Sequence, residues 1–204
     1  MTDAADASPA RSDVSSLRRN SERAYHLFET SLGTCAIAWS VAGLTRVRLP
    51  QTDAADTESQ LRPHAVAWSS GTPLPSNVEA AVAALRAYMQ GGREDFSGVK
   101  LDWGSVPGYN ARIYRALARV PYGTTTTYGA LALAIGKPNA ARAVGMAMGR
   151  NPWPVVIPCH RVLASGQQLG GFSAPGGVAT KVRLLRLERA LPGDDAPLLP
   201  GLFD

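Results

Sequence analysis

Cysteine is nearly missing from this chain: Cys35 and Cys159 are the only two among 204 residues. Two cysteines cannot build a disulfide framework, and these two stand too far apart to form the closely spaced ligand pair of a structural zinc site. Histidine is nearly as sparse, with His26, His64 and His160 scattered singly, so no metal is expected, and nothing in the sequence calls for an organic cofactor. No apolar run approaches the ~20 residues that a membrane-spanning helix needs, and the first residues carry no apolar leader. The expectation is a soluble, cytoplasmic protein of one compact domain or two small ones, working as a monomer away from membranes.

Acidic residues are scarce too, but only in one region. From Ser105 to Ala190 there are eleven Lys and Arg residues against one carboxylate, Glu188. That segment carries +10 of a chain whose net charge is +5, which leaves −5 for the rest. Such asymmetry suits a face turned toward a polyanion such as nucleic acid, although a merely solvated basic surface would have the same composition.

The patterning divides the chain into four parts. Residues 1–22, rich in Ala, Ser, Asp and Arg, read as a disordered tail. Residues 23–99 read as a small α/β domain with three short strands, Tyr25 to Thr30, Thr34 to Trp39 and Leu44 to Leu49, separated by Leu32-Gly33 and Ala42-Gly43. A helix follows from Ser76, a candidate cap, to about Gln90, with Val78, Val82, Leu85 and Met89 on one stripe and Gly91-Gly92 as its stop. Residues 100–190 have a helical texture, beginning with a helix over about Asn110 to Arg119 and a break at Pro121-Tyr122-Gly123. Thr127 caps a helix to Ala134, Gly136-Lys137-Pro138 turns the chain, and a second helix runs from about Asn139 to Arg150, together suggesting a helix-turn-helix. Residues 191–204 form a C-terminal tail, in which Leu198 to Phe203 could pack back on the protein or dock a partner. The fold class is therefore α+β: a small N-terminal α/β domain with a short antiparallel sheet, then a mostly helical domain.

The second helix of the pair is stripped of bulk, with Ala140, Ala141, Ala143, Gly145, Ala147 and Gly149 leaving a narrow rod that another backbone can approach closely. Tight internal packing would explain the small residues as well as an external surface would. Arg142 within the rod favours the outer face, because a long cation needs solvent or an anion.

Chemistry concentrates further on. Asn151-Pro152-Trp153-Pro154 leads into Val155-Val156-Ile157, a short apolar run that reads as a buried strand, and Pro158-Cys159-His160-Arg161-Val162 follows. A free thiol is only ~3% thiolate at neutral pH, so a nucleophilic cysteine needs a base or a positive field. His160 and Arg161 adjoin Cys159 and can supply either, while Glu188 is the one carboxylate of the segment able to orient a base. A lone buried cysteine is more often inert packing, and Glu188 could equally pair with an arginine one helical turn away.

From Pro121 to Glu188 the sequence resembles the O6-alkylguanine-DNA alkyltransferases, also called methylated-DNA-protein-cysteine methyltransferases. Pro158 to Val162 reproduces the family's Pro-Cys-His-Arg-Val signature. It is preceded in the family's order by Pro121-Tyr122-Gly123, Tyr128-Gly129, the run Ala140 to Gly145, and Asn151-Pro152. The N-terminal half agrees only in its short strands and its helix. The resemblance implies DNA repair by stoichiometric, self-inactivating transfer of an alkyl group from O6-alkylguanine in double-stranded DNA to Cys159, with His160 and Glu188 removing the thiol proton through a water. It implies a flipped base met by Tyr128, Ser173, the carbonyls of Cys159 and Val162, Pro154, Met148 and Phe172. DNA contacts would come from Arg142, filling the vacated stack through the minor groove, with Ala140, Ala141, Asn151 and Arg161; Asn151 would also tie the recognition helix to the active-site turn. The chain departs from the family pattern at Phe172, where many members have Tyr, and in the long loop Ala174-Pro175-Gly176-Gly177, which bears on leaving-group stabilisation and on tolerance of bulky adducts.

Two rivals carry different signatures. A DNA-binding regulator or damage-recognition module would leave Cys159 unmodified after exposure to alkylated DNA. A cysteine hydrolase would turn over an ester or peptide, but adjacent Cys and His do not match the separate placement of nucleophile and base usual in that chemistry.

Overall fold

The computed structural model describes residues 23–68 and 71–191. The tail readings for 1–22 and 192–204 lie outside the described residues. Three strands, β1 (Ala24–Thr30), β2 (Gly33–Ser40) and β3 (Gly43–Arg48), form an antiparallel meander in which Phe28 opposes Cys35 and Ile37 opposes Val47. Two elements of this half went unread: α1 (Ala54–Ser59), capped by the Asp53 side chain on Asp56 N, and β4 (Val66–Ala67), which pairs parallel to β1 and completes the order β3-β2-β1-β4. A polar six-residue helix and a two-residue strand leave almost no periodic signal. The sheet is covered on both faces. Cys35, Ile37 and Trp39 join the main core, while Ala36 and Ala38 join Tyr25, Leu61 and Ala65 beneath.

Helix α2 (Ser76–Met89) buries Val78, Val82, Leu85 and Met89 as its stripe requires. Its cap differs from the expectation. Pro75, not Ser76, is the N-cap; its carbonyl accepts from Val78 N and Glu79 N, and no side chain bonds there because proline has no side-chain acceptor. At the other end Gly91 adopts φ 88°, the left-handed conformation that stops a helix at low cost to glycine.

The C-terminal half contains α3 (Gly108–Leu117), α4 (Tyr128–Ala134), α5 (Ala141–Met148) and α6 (Gly177–Leu187). Thr127 caps α4 through Ala130 N, and Gly136, at φ 71°, makes the turn toward α5. The second helix is shorter than its small-residue pattern, since Ala140 still belongs to the preceding turn and donates to Lys137 O, while Gly149 caps the far end. Val144, Ala147 and Met148 face the core; Arg142 and Met146 face out. A Cβ placed at Gly145 would lie 3.8 Å from the Tyr128 ring, an ordinary contact, so packing inside the protein does not demand glycine there.

One continuous apolar core runs from the sheet through α2 into α3, α5 and α6. The edge of β3 binds the two halves together: Leu44 N donates to Lys100 O, Asp102 N to Leu44 O, Val47 N to Pro152 O and Trp153 Nε1 to Leu44 O, each at 2.8 Å. Gly43 permits this approach, for a Cβ there would stand 2.5 Å from Lys100 O. An otherwise open strand edge thus anchors the segment that leads to Cys159.

Candidate active site

That segment is not a strand. Val155 has φ 73°, and Ile157 N turns back to Trp153 O at 2.8 Å, making a tight buried turn. A β-branched residue in the left-handed region is strained, and its surroundings must hold it there. Asn151 does so from one end: its Oδ1 accepts from Trp153 N at 3.0 Å, and its Nδ2 donates to Ile157 O at 2.7 Å. Trp153, fully buried, packs its ring on Trp103 at 5.0 Å and Tyr114 at 6.3 Å. The turn therefore delivers the short 3-10 segment Cys159–Arg161 to a fixed position.

Cys159 lies where two clefts, of about 380 and 270 Å3, share a wall. Met148, Phe172 and Ser173 line both; Tyr128 and Gly145 line the smaller, Pro154 and Asn151 the larger. Of the residues expected around a substrate, the structure brings Tyr128, Met148, Pro154, Phe172 and Ser173 to the thiol. Val162 is fully buried behind it, and its carbonyl accepts from Lys181 Nζ at 2.6 Å.

The thiol is held away from ionisation by burial, which pushes its pKa up; the Asn151 amide, donating to Sγ at 3.2 Å, then the local backbone N–H groups and Lys181 pull the other way. His160 is fully buried, and burial lowers its pKa despite the opposing pull of Glu188. It is therefore neutral near pH 7. Its Nε2 stands 2.8 Å from Glu188 Oε1, while its Nδ1 is buried without a hydrogen-bond partner in the protein.

Glu188 caps α6 and is 2% exposed. Burial would raise its pKa, but bonds from His160, Arg161 and Tyr88 overcome this and bring it to about 2. Arg161 donates from Nε to Oε2 at 2.8 Å and from Nη2 to Oε1 at 2.9 Å, and its Nη1 reaches Val120 O at 2.6 Å. This corrects one expectation. Arg161 is buried, with its guanidinium spent on Glu188 and a carbonyl, and it is not on an outward face.

The remaining residues expected at DNA are differently placed. Arg142 is exposed on α5, Ala140 and Ala141 are half-buried at its start, and Asn151 points inward to the thiol. Of the eleven cations between 105 and 190, Arg161 and Lys181 are buried and thus do not contribute to an outer basic surface.

Two site residues escaped the sequence reading. Lys181 is fully buried, and its ammonium donates to the carbonyls of Val162 and Leu169; burial lowers its pKa to about 8. A signal existed, since Lys181 and Glu188 share one helical face with Leu184 and Leu185, and a charge on an apolar stripe marks a buried partner. Tyr88, from α2, donates to Glu188 Oε1 at 2.6 Å and lies 3.1 Å from His160 Nε2. Its partner is 100 residues away in sequence, which no local pattern encodes. Among the described residues no group of three or more His, Cys, Asp or Glu could hold a metal ion, and no helix is long and apolar enough to cross a membrane.

A buried thiol followed in the chain by a neutral, carboxylate-backed imidazole fits the class of proteins that use a cysteine as a nucleophile. Comparison with known proteins narrows the class. Residues 24–103 match the family model for the 6-O-methylguanine DNA methyltransferase ribonuclease-like domain, and residues 108–190 match the one for its DNA binding domain. The methylated-DNA–protein-cysteine methyltransferase of Mycobacterium tuberculosis H37Rv is 36% identical over 180 residues, covering 88% of this chain and 98% of that one. The constitutive enzyme of the same name from Bacillus subtilis is 35% identical over 167 residues, covering 81% and 94%. The crystal structure of M. tuberculosis OGT in complex with DNA superposes with a TM-score of 0.67 at 35% identity, over 89% of this chain and 99% of that one. The chain belongs to the methylated-DNA–protein-cysteine methyltransferase family.

Proposed function

We propose that this protein repairs DNA by moving an alkyl group from the O6 oxygen of a damaged guanine onto Cys159, once per molecule. The observation that carries the reading is the position of the Cys159 thiol, at the junction of two clefts and followed directly by a buried imidazole whose Nδ1 is free to accept a proton. Sγ attacks the alkyl carbon, the S–C bond forms as the C–O6 bond breaks, and the electron pair of that bond stays on the guanine. The thiol proton passes through a water to Nδ1 of His160, while Glu188 stabilises the imidazolium that results. A thioether has no easy route back to a thiol, so the reaction ends there.

Tyr128, Met148, Pro154, Phe172 and Ser173 form the walls against which the flipped base rests. The backbone of the Ser173 loop faces O6 as it becomes the leaving oxygen, and the Val162 carbonyl, already held by Lys181, retains a lone pair for the exocyclic amine. Phe172 offers no hydroxyl there. Residues 100–190 supply the DNA surface and the thiol, and residues 23–99 brace them. Arg142, exposed on α5, enters the gap in the stack, and Ala140 and Ala141 let the helix lie close to the minor groove. Asn151 acts from within, joining the end of α5 to the reactive turn. A single copy suffices, and two unpaired cysteines suit the reducing cytoplasm.

The test is intact mass before and after mixing with a duplex containing O6-methylguanine. The expected result is a gain of one methyl group per protein and no further turnover. An unchanged mass, or repeated turnover, contradicts the reading.

A further inference from the structure

Of the side chains that hydrogen-bond the His160–Glu188 pair, Arg161 comes from the C-terminal half and one comes from the N-terminal half. The latter, Tyr88, stands in the last turn of α2 and is fully buried. Its backbone is fixed as firmly as its ring. Gly91 N donates to Tyr88 O at 2.9 Å, Ser31 Oγ donates to Met89 O, and Arg86 Nε reaches Glu29 O at 3.2 Å, tying this turn to the β1–β2 hairpin. The ring meets Phe96 edge-on at 5.8 Å and Tyr122 at 6.2 Å. The titratable and charged groups facing the phenol are Glu188, His160, Arg161 and Tyr122. Burial first, then Glu188, keep its pKa well above 10, so it remains a neutral donor at any working pH.

Counting hydrogens at this cluster fixes who donates. An ionised carboxylate only accepts, and Arg161 and the Gly123 N–H only donate. The Tyr88 hydroxyl, 2.6 Å from Oε1, spends its hydrogen on Glu188 and turns a lone pair toward His160 Nε2. Nε2 thus faces two acceptors, the carboxylate at 2.8 Å and the phenol oxygen at 3.1 Å, and must carry the imidazole hydrogen. Nδ1 is left bare. Glu188 Oε1 is also claimed by Arg161, so the phenol both steadies that oxygen and supplies the imidazole with a second acceptor.

We infer that Tyr88 is a positioning residue for the reaction: bonded to Glu188 and within reach of His160 Nε2, it works with the carboxylate to hold the imidazole in the Nε2–H tautomer and leaves Nδ1 to receive the thiol proton. The N-terminal half thereby contributes a functional group to the His160–Glu188 pair. The inference rests on the alkyl-transfer reading for its kinetic consequence, but not for the tautomer itself.

The experiment pairs single-turnover transfer with imidazole 15N NMR on the full chain, using His160→Gln to assign the His160 signals. In the wild type His160 should appear as the neutral Nε2–H tautomer. Tyr88→Phe should shift or mix that tautomer and slow transfer about ten- to a hundredfold, the usual cost of losing a group that orients a proton acceptor. The loss should be equal on methylguanine duplex and on free benzylguanine, with DNA affinity unchanged. A wild-type Nδ1–H tautomer overturns the inference, as does wild-type speed in Tyr88→Phe, or slow transfer with unaltered His160 signals. If Tyr88→Phe does not fold, biosynthetic replacement of tyrosine by 3-fluorotyrosine keeps the shape and strengthens the donor; a moved Nε2–H resonance supports the inference and an unmoved one overturns it. Absence of transfer in the wild type would count against the repair function while leaving the tautomer test in force.

Discussion

The two halves of the molecule each bury one cysteine, and the two sites differ in almost everything except burial. Cys35 lies within β2 opposite Phe28, 1% exposed, with the Thr30 hydroxyl at 3.8 Å as its polar neighbour, and burial pushes its pKa to about 11. Cys159 is also raised by burial, yet an amide, backbone N–H groups and an ammonium oppose that rise, and an imidazole with a free nitrogen follows it in the chain. Burial alone makes a thiol inert. What sets the Cys159 site apart is the set of donors fixed in place around the sulfur, the Asn151 amide first among them.

The largest change expected on breaking this contrast follows Glu188→Gln. Without its carboxylate partner, His160 loses the group that stabilises its protonated form, and single-turnover transfer should slow about a hundred- to ten-thousandfold while DNA affinity stays put. The same variant should change the acid limb of stability. Glu188 has its pKa lowered from 4.5 to about 2 by folding, so its contribution is full above 4.5 and is lost as pH falls toward 2; chemical denaturation across that window should show a shallower slope in the variant.

A smaller effect separates finding the base from reacting with it. Arg142 is exposed on α5, away from the thiol, and Arg142→Ala should slow repair of duplex methylguanine roughly ten- to a thousandfold, the equivalent of a flipping cost of a few kcal/mol. Reaction with free benzylguanine should stay near the wild-type rate. Equal loss on both substrates would assign Arg142 to the fold instead. The smallest effect belongs to the other cysteine: Cys35→Ala should cost about 1 kcal/mol of stability by denaturant titration and leave the transfer rate alone.

Local signals carried the reading wherever the physics is local. The three strands, the stripe of α2, the Thr127 cap and the glycine turns at 91, 123 and 136 appear where alternation, capping chemistry and left-handed backbone demand them. Val155 to Ile157 misled because an apolar run looks alike in a strand and in a buried turn; only Asn151, bonding across the turn, and Pro154 decide between them. Arg161 misled because a cation next to a nucleophile suggests an outer field, whereas its actual partner, Glu188, lies 27 positions on. Cys159 and His160 were legible through the Pro-Cys-His-Arg-Val signature, and Glu188 as the one carboxylate of the basic segment. Lys181 left a trace as a charge on the apolar stripe of α6, whereas Tyr88 left none, because its partners lie 72 and 100 positions away.

The two cysteines, both unpaired and both buried, differ in what surrounds the sulfur, and that difference sets their chemistry. It is tested most directly by peptide mapping after stoichiometric reaction with an O6-methylguanine duplex. One methyl group is expected, all of it on Cys159 and none on Cys35, with Cys159→Ser binding DNA but remaining unlabelled. A methyl group on Cys35, or a labelled Cys159→Ser protein, would contradict it.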